Sequence, residues 1–330
     1  MTADRLADYR SRRDRERTPE PVPATGPLPT GGDDTFVIQE HHARRLHWDL
    51  RLERDGVLVS WAVPRGLPRT PADNRLAVHT EDHPLEYAAF AGEIPRGEYG
   101  AGRVLIWDRG RYETEKWTDR EVKVVLHGTR VSGRYVLFRT RGRNWLIHRM
   151  DPPADPAEEP LPSAVAPMRA VRRARPPDDP ERHAFEFAWG GRRVLAYAEG
   201  GRVRLTDADG ADVTREYPGL RGLGEQLGAR SAVLDGEITD AAGPSTYVIF
   251  DLLYLEGRTL FDEPYRRRRE LLDGLGLVGP HWQTAPSFTG ADAAVRQVAR
   301  ERGLPGVVAK RLDSRYEPGT ASEAWLLVPG

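Results

Sequence analysis

Short segments in which apolar and polar residues alternate fill the chain between Thr35 and Met150, and glycine-containing turns separate them. A period of two is typical of β-strands with one buried face. The segments with this period are Phe36–Gln39, His47–Leu52, Val57–Val63, Arg75–His79, Arg103–Trp107, Val122–Leu126, Arg134–Arg139 and Trp145–His148. Eight short strands joined by turns predict a mainly β domain, either a sandwich or a closed or nearly closed β-barrel with short helices.

After residue 160 the pattern changes, because strand-like segments now alternate with segments of helical periodicity. The predicted strands are Phe185–Phe187, Arg193–Ala198, Arg202–Thr206, Ala232–Leu234, Tyr247–Leu253 and Val307–Lys310. The predicted helices are Glu216–Leu227, Tyr265–Leu275 and Gly290–Arg302. A mixture of this kind predicts an α+β domain.

Composition places the boundaries between these regions. Residues 1–34 are basic at first and then rich in proline and glycine, which cannot bury a core and predicts a flexible arm. The run DPPADPAEEP at residues 151–160 predicts a linker. Two domains follow, at 35–150 and 161–330, as expected for a chain of 330 residues.

Other features of the composition exclude whole classes of protein and of site. The chain has no cysteine, so disulfides and thiolate metal sites are excluded, and a metal must be held by histidine or carboxylate. No apolar stretch is long enough for a bilayer, and the N-terminus lacks the apolar segment of a secretory signal. We therefore expect a cytoplasmic protein without a membrane partner.

Five of the nine histidines lie between residues 41 and 83, and two of them point to a metal site. In the strand His47–Leu52, a period of two places His47, Asp49 and Arg51 on one face. His41 lies six residues before His47, across a short turn that could bring it back beside that face. Two histidines and one aspartate suit Mn²⁺, Fe²⁺ or Zn²⁺, although a solvated strand face can show the same row of residues.

Arginines near these histidines suggest an anionic substrate. Arg51, Arg65 and Arg75 together would form a fork for a phosphate oxyanion. A neighbouring histidine, His83, could then serve as a proton donor.

The same region contains longer motifs, and these resemble a known family. They are Phe36-Val-Ile-Gln-Glu-His41, Leu46-His-Trp-Asp-Leu-Arg-Leu-Glu53, Trp61-Ala-Val-Pro64, Leu76-Ala-Val-His-Thr-Glu-Asp-His-Pro-Leu-Glu-Tyr87 and Phe90-Ala-Gly-Glu-Ile-Pro-Arg-Gly-Glu-Tyr-Gly-Ala-Gly102. Together they are similar to the 3′-phosphoesterase domain of bacterial DNA ligase D.

The resemblance implies a role for each matching residue. Those implied to bind Mn²⁺ are His41, His47 and Asp49. Those implied to act on the phosphate are Arg51, Arg75, His83 and Tyr87, together with Arg65, which stands where the family usually has lysine. Those implied to bind the substrate, in particular a 3′-terminal ribonucleoside, are Arg13, Asp14, Glu20 and Glu81.

The function implied is Mn²⁺-dependent processing of DNA 3′ ends, either 3′-phosphate or 3′-ribonucleotide, in break repair by non-homologous end joining. The expected partners are DNA primer–template ends, with Ku and a separate repair polymerase or ligase as candidates, at the nucleoid. Two other functions stay open. One is a non-haem Fe(II) oxygenase using His47 and Asp49 with a distal histidine, which leaves the arginines unexplained. The other is a non-catalytic repair scaffold.

The second half resembles the nucleotidyltransferase domain of ATP-dependent DNA ligases, which implies an ATP-grasp-type core. The matching motifs are Val233-Leu-Asp-Gly-Glu-Ile238, Phe250-Asp-Leu-Leu-Tyr-Leu-Glu-Gly257 and Gly306-Val-Val-Ala-Lys-Arg-Leu-Asp-Ser-Arg-Tyr316. We expect no OB fold in this sequence.

The motif that carries the ligase nucleophile departs from the family pattern, Lys-x-Asp-Gly-x-Arg. This chain has Ala188 at the lysine and Gly190 at the aspartate, and Arg193 stands at the arginine. Lys310 matches a different motif, so no lysine is available for adenylation. We therefore expect an inactive ligase-like domain and no ATP cofactor, although Glu237 and Phe250 could still form a weak nucleotide pocket.

Overall fold

The computed structural model describes residues 4–153 and 155–329. The chain divides into two compact units, Met1–Pro156 and Ala157–Gly330, so the division falls inside the proline-rich segment 151–160. Across the described ranges, no helix is both long enough and apolar enough to span a bilayer.

Among the residues that the structure describes, the first unit contains nine strands. They are β1 Thr35–His42, β2 Leu46–Arg54, β3 Val57–Val63, β4 Asn74–His79, β5 Gly92–Ile94, β6 Gly102–Trp117, β7 Glu121–Gly128, β8 Ser132–Arg141 and β9 Asn144–Arg149. Eight of them form a sheet in the order β1-β2-β3-β4-β9-β8-β7-β6, and β6 pairs back with β1 to close a barrel. The predicted barrel is confirmed, and the strand that the pattern missed is the three-residue β5, which pairs with β6.

The inner and outer faces of this sheet carry different kinds of side chain. Leu50 pairs with Trp61, and Trp61 pairs with His79, so these side chains share one face across β2, β3 and β4. That face is turned into the barrel, where alternate residues of every strand are buried. Asp49 and Arg51 alternate with these residues and therefore lie on the outer face. They are nevertheless buried, because other segments of the first unit cover this part of the barrel.

One covering segment is the N-terminal region 4–34, for which composition predicted flexibility. It begins with a short helix, α1 (Ala7–Ser11), and Tyr9 on this helix is fully buried. The Tyr9 ring contacts His83 at a centroid distance of 5.0 Å and Tyr87 at 6.1 Å. Aromatic contacts of this kind favour packing beyond the area that they bury, so this region lies against the barrel.

The second covering segment joins β4 to β6 and contains a 3₁₀ helix, Leu85–Ala89. Buried Gln39 on β1 donates its amide hydrogens to the backbone carbonyls of Tyr87 and Phe90, at 3.2 and 2.9 Å. One strand side chain therefore anchors the segment to the outer face of the barrel.

The second unit is an α+β domain, as predicted. Its strands are β10 Arg169–Arg172, β11 His183–Ala188, β12 Arg192–Glu199, β13 Arg202–Asp207, β14 Ala232–Thr239, β15 Thr246–Leu255, β16 Arg258–Thr259, β17 Val278–Gly279, β18 Trp282–Thr284, β19 Ser287–Thr289, β20 Gly306–Arg311 and β21 Ala321–Pro329. Its helices are α2 Arg221–Leu227, α3 Tyr265–Gly274 and α4 Asp292–Glu301, and its 3₁₀ turns are Pro180–Arg182, Thr214–Glu216 and Pro218–Leu220.

These strands form two sheets. One has the order β10-β21-β20-β11-β19, and the other has the order β13-β12-β14-β15-β18-β17 with β16 beside β15. The helix predicted over Glu216–Leu227 is shorter than expected, since α2 begins only at Arg221 after two 3₁₀ turns. Pro218 lies in this stretch and cannot donate a helical hydrogen bond, which accounts for the late start.

Candidate active site

Two antiparallel strands bring the three predicted metal ligands together. His41 on β1 pairs directly with His47 on β2, and Asp49 lies two residues further along the same face. One ligand atom from each residue lies within 4.8 Å of the others. Asp49 is 3.7 Å from the nearest ring nitrogen of each histidine. Two imidazoles and a carboxylate in this arrangement could hold a divalent cation.

Backbone carbonyls select the ring nitrogen that each histidine offers to this site. Nε2 of His41 lies 2.8 Å from the carbonyl oxygen of Gly100, and Nδ1 of His47 lies 2.9 Å from that of Arg45. A carbonyl only accepts, so these nitrogens carry the protons and donate them. The lone pairs of His41 Nδ1 and His47 Nε2 therefore face Asp49, which is the orientation that metal-binding histidines require.

Arg51 lies beside this cluster and is held on three sides. Its guanidinium donates to Asp49 at 3.0 Å and to the Gln39 side-chain oxygen at 2.7 Å, and it lies 3.0 Å from Nδ1 of His83. Burial alone would raise the pKa of Asp49, but the Arg51 guanidinium holds that pKa well below its usual range. Asp49 is therefore an anion, and Arg51 is a fixed cation beside it.

His83 is almost fully buried between this arginine and the N-terminal region. Its Nδ1 lies 2.9 Å from the carbonyl oxygen of Glu81, and its Nε2 lies 3.5 Å from the Arg13 guanidinium. Burial, followed by the charges of Arg51 and Arg13, lowers the pKa of His83 well below 6.5. The predicted role as proton donor needs a protonated ring, which this environment disfavours. A neutral ring keeps a lone pair on one of its two nitrogens.

The N-terminal region adds a second charged group. Arg13 donates to Glu20 at 2.9 Å and to Glu81 at 3.2 Å. Tyr87 donates its hydroxyl hydrogen to Glu20 at 3.0 Å, and burial raises the pKa of Tyr87 well above 10. Tyr87 therefore stays protonated, and Arg13 joins the two other predicted substrate-binding residues, Glu20 and Glu81.

All these side chains line one cavity of about 900 Å³, which we call the metal cavity. Its lining also includes four residues that the sequence reasoning missed, namely Arg44, Arg45, Arg96 and Tyr99. All four are exposed, so they form the entrance of the cavity. The Arg-Arg pair in the β1–β2 turn was a visible signal, since basic residues next to predicted metal ligands suit a polyanionic substrate.

The structure does not form the predicted fork of three arginines. Arg75 pairs with Ile147 across β4 and β9, on the face turned into the barrel, whereas Arg51 lies on the outer face. Arg75 donates to the backbone carbonyl of Arg65 and, at 3.3 Å, to Asp73. Neither Arg65 nor Arg75 lines the metal cavity. The prediction was wrong because Arg75 and Arg51 have opposite orientations, which depends on the register of distant strands.

Asp14 also lies outside the lining of the metal cavity. It is exposed, and its carboxylate accepts a hydrogen bond from the Glu16 amide at 3.0 Å. The geometry therefore gives Asp14 a local role in the turn that follows Arg13. His42, on the other face of β1, bonds to Glu40 at 2.8 Å, away from the cavity.

The second unit places the altered ligase motif at the end of β11. Ala188 pairs with Gly306 on β20, on the same face as Glu186. Gly190 follows at a φ of 68°, and a Cβ atom there would come within 3.0 Å of the Pro305 ring. An aspartate at this position would therefore be strained by its backbone and crowded by its neighbour.

The remaining charged residues of this motif region are paired with one another. Lys310 is buried, and its amino group lies 2.8 Å from Glu186 and 3.2 Å from the carbonyl oxygen of Phe250. The aromatic rings of Phe250 and Trp325 flank the Lys310 amino group at 4.3 and 4.2 Å. Burial lowers the pKa of Lys310.

Arg193 and Glu237 are similarly engaged. The Arg193 guanidinium donates to both carboxylate oxygens of Asp235, at 2.6 and 2.7 Å, and stacks over Phe250. Glu237 accepts a hydrogen bond from the Gly191 amide at 3.1 Å, and burial raises the pKa of Glu237. The predicted pocket residues are thus close together, and the two cations, Lys310 and Arg193, are paired with carboxylates of the protein.

Comparison with known proteins agrees with both halves of this description. Residues 39–139 match the family described as the DNA Ligase D 3′-phosphoesterase domain, and residues 239–328 match the ATP dependent DNA ligase domain. A multifunctional non-homologous end joining protein, LigD, of Mycobacterium bovis is 48% identical over 98% of this chain, which covers 45% of that protein. The LigD protein of Pseudomonas aeruginosa is 33% identical over 97% of this chain and 46% of its own length.

The chain thus spans about half the length of the curated relatives that it matches. Among solved structures, mycobacterial DNA ligase D complexed with ATP and MES is 36% identical over 50% of this chain and 60% of its own, with a TM-score of 0.44. The ligase-family match begins at residue 239 and so does not include the altered motif around Ala188. The chain joins a DNA ligase D 3′-phosphoesterase domain to a domain of the ATP-dependent DNA ligase family.

Proposed function

We propose that the first unit hydrolyses phosphate esters at DNA 3′ ends with Mn²⁺, and that it removes 3′-phosphates and 3′-terminal ribonucleotides during end joining. The observation that carries this proposal is the cavity itself. It joins a two-histidine, one-aspartate metal cluster to a fixed arginine and a neutral histidine. The names of the relatives support a role in end joining.

His41, His47 and Asp49 would hold the metal, and Mn²⁺ accepts this mixed nitrogen and oxygen donor set. When bound, the metal would polarise a phosphoryl oxygen and lower the pKa of a bound water. Arg51 would orient a second phosphoryl oxygen, because Gln39 and Asp49 hold its guanidinium in place before substrate arrives. Neutral His83 would accept a hydrogen bond or a proton at the ring nitrogen that carries its lone pair.

The N-terminal region would recognise the terminal nucleotide. Arg13, Glu20 and Glu81 supply a donor and two acceptors in the same cavity, and Tyr87 ties Glu20 to the barrel. A ribose hydroxyl can both donate and accept, so a group of this kind can distinguish ribose from deoxyribose.

A single assay tests this function. A 5′-labelled primer annealed to a template, ending in either one ribonucleotide or a 3′-phosphate, is incubated with the full chain and Mn²⁺. Electrophoresis should show loss of the terminal group from both substrates, and chelation should stop it. Unchanged mobility with both substrates would favour the alternative of a non-catalytic repair scaffold.

The oxygenase alternative needs a separate control, because two histidines and a carboxylate also form the ligand set of non-haem iron enzymes. Oxygen consumption in the presence of Fe²⁺ would support that alternative. The arginine held against Asp49 suits a phosphate better than molecular oxygen, so we expect no oxygen uptake.

We further propose that the second unit forms no covalent adenylate. The methyl group of Ala188 cannot attack an α-phosphate, and Lys310 is held by Glu186. Incubation with α-labelled ATP and a divalent metal should therefore leave no labelled band at 37.0 kDa after denaturing electrophoresis. The double substitution Ala188→Lys and Gly190→Asp should also fail, because Pro305 crowds position 190. A labelled band in the unaltered chain would establish an active ligase site.

The binding partners and the location in the cell remain predictions. DNA ends are the substrate proposed here, and Ku and a separate repair polymerase or ligase are candidate protein partners. A cytoplasmic, nucleoid-associated location is expected with them.

A further inference from the structure

An open end of the barrel contains a second cavity, of about 390 Å³, which is lined by aromatic side chains. Trp61 contacts Trp117, Trp145 and His79 at ring-centroid distances of 6.4, 5.7 and 5.4 Å. His79 and Trp145 are stacked, with an interplanar angle of 30°. We call this group of four rings the aromatic pocket. It is distinct from the metal cavity, because its residues belong to the face turned into the barrel.

The walls of the aromatic pocket are the rings themselves, and one of them has an unpaired polar atom. Trp61 is 1% exposed, and its indole nitrogen has no hydrogen-bond partner in the described part of the chain. Aromatic walls beside a cavity suit a flat, aromatic ligand.

The charges around the opening indicate that this ligand is part of a polyanion. Arg139 and Arg143, at the β8–β9 turn, are exposed and line the pocket. The Arg54 guanidinium lies 5.3 Å from the Trp117 ring. Asp82, a nearby carboxylate, is already paired with Arg5 at 2.9 Å. Asp119 is the other acidic residue in the lining, so positive charge predominates.

We propose that the aromatic pocket binds an unpaired nucleobase of a DNA strand, with the flanking phosphates on Arg139 and Arg143. Aromatic platforms beside arginines are the usual means of holding single-stranded nucleic acid, because every base has a π-face. The cavity is also within the size range of ligand pockets, which begins at about 300 Å³. The proposal rests on the proposed function only in taking DNA as the ligand.

The position of the pocket relative to the metal cavity suits one continuous strand. His79 and Asp82 line the aromatic pocket, whereas Thr80, Glu81 and His83 line the metal cavity. The four residue steps from 79 to 83 span at most about 14 Å. This length corresponds to about four nucleotide steps of a stacked strand. A strand whose 3′ end lies in the metal cavity could therefore place a nearby base in the aromatic pocket.

Photocrosslinking tests the location. Oligonucleotides with 5-iodouracil at successive positions from the 3′ end are bound to the full chain in a chelator, so that no cleavage occurs, and are then irradiated. Mass spectrometry should find crosslinks in the peptides that contain Trp117 or Trp145. Crosslinks confined to the metal cavity or to other surfaces, or the absence of any crosslink, would overturn the proposal.

Affinity measured by fluorescence anisotropy in the same chelator gives an independent test. Trp117→Ala should weaken binding of a single-stranded oligonucleotide by roughly 5-fold to 100-fold. Phe138→Ala removes an exposed ring outside the pocket and should leave binding unchanged. Arg143→Ala should weaken binding and reduce its salt dependence more than Arg141→Ala, a matched change in the same turn.

If Trp117→Ala does not fold, the two arginine variants decide the question. Equal binding by Arg143→Ala and Arg141→Ala would then overturn the proposal. Because these measurements need no metal and no cleavage, a failure of the proposed hydrolysis would leave their result readable.

Discussion

The two units each contain a buried cluster of charged side chains, but the clusters differ in what they leave open. In the first unit, two histidine nitrogens keep free lone pairs that face Asp49, and Arg51 faces a cavity. In the second unit, Lys310 and Arg193 are neutralised by Glu186 and Asp235. The comparison teaches that buried charge alone does not indicate chemistry. Lone pairs and charged groups that face a cavity do indicate a reactive site.

The strongest test of this difference is the loss of a metal ligand. His47→Ala should abolish 3′ processing and Mn²⁺ binding, because only two of the three ligands would remain. Titration calorimetry and the primer assay measure the two effects. His42→Ala is a matched control, since His42 bonds to Glu40 on the other face, and it should bind Mn²⁺ normally. Wild-type activity in His47→Ala would refute the metal assignment.

A large effect of another kind is expected in the second unit. Lys310→Met should destabilise this unit by about 3 kcal/mol, because buried Glu186 would lose its nearest cation and keep only Arg269, at 3.4 Å, and the Tyr265 hydroxyl as partners. Chemical denaturation measures the loss. The double variant Lys310→Met/Glu186→Gln should be more stable than the single one. If Lys310→Met were as stable as the unaltered chain, the pairing would have no structural importance.

Arg51 lies on the outer face of the barrel and Arg75 on the inner face, so substitutions at these two positions should have different effects. Arg51→Ala should slow hydrolysis roughly 30-fold to 1000-fold, equivalent to about 2–4 kcal/mol of transition-state stabilisation. Arg75→Ala should act on stability instead, lowering it by about 1–3 kcal/mol through lost hydrogen bonds in the interior. Rate and melting temperature are measured for both variants. An Arg75→Ala protein with normal stability and the rate loss of Arg51→Ala would restore the predicted phosphate fork.

The smallest expected effect concerns the protonation of His83. Its pKa is lowered by burial and then by Arg51 and Arg13, so the unfolded chain takes up a proton at a higher pH than the folded one. The contribution of neutral His83 to the free energy of unfolding is therefore complete above about pH 6.5, and it is lost as the pH falls below that value. Urea unfolding of the metal-free chain should show a smaller acid loss in His83→Asn than in the unaltered chain. An equal loss in both would show that His83 is not held neutral.

The prediction of the metal cluster from sequence succeeded because the relevant relations are local. His47 and Asp49 are two residues apart on one strand, and a short turn returns the chain from His41, so both relations can be read from a single segment. The composition of residues 4–34 gave no comparable signal that this region packs against the barrel. Tyr9 is buried because it meets His83 and Tyr87, which lie more than 70 residues away. Composition describes what a segment can bury by itself, not what it can bury against a partner.

The missed strands have a similar cause. β5, β16, β17, β18 and β19 contain two or three residues each, and a period of two cannot be detected over so few positions. β10, with four residues, and β21, with nine, were also missed, and both belong to a sheet that long-range pairing builds.

By itself, the sequence determined the barrel strands, the face that carries His47, Asp49 and Arg51, and the absence of a nucleophilic lysine at Ala188. These properties depend on alternation within one strand or on the identity of one residue. Only the tertiary structure decided that Arg75 is turned into the barrel, that the N-terminal region packs over the cavity, and that Lys310 is neutralised. Each of these depends on register and contacts between residues distant in the chain, whose free energies no local pattern contains.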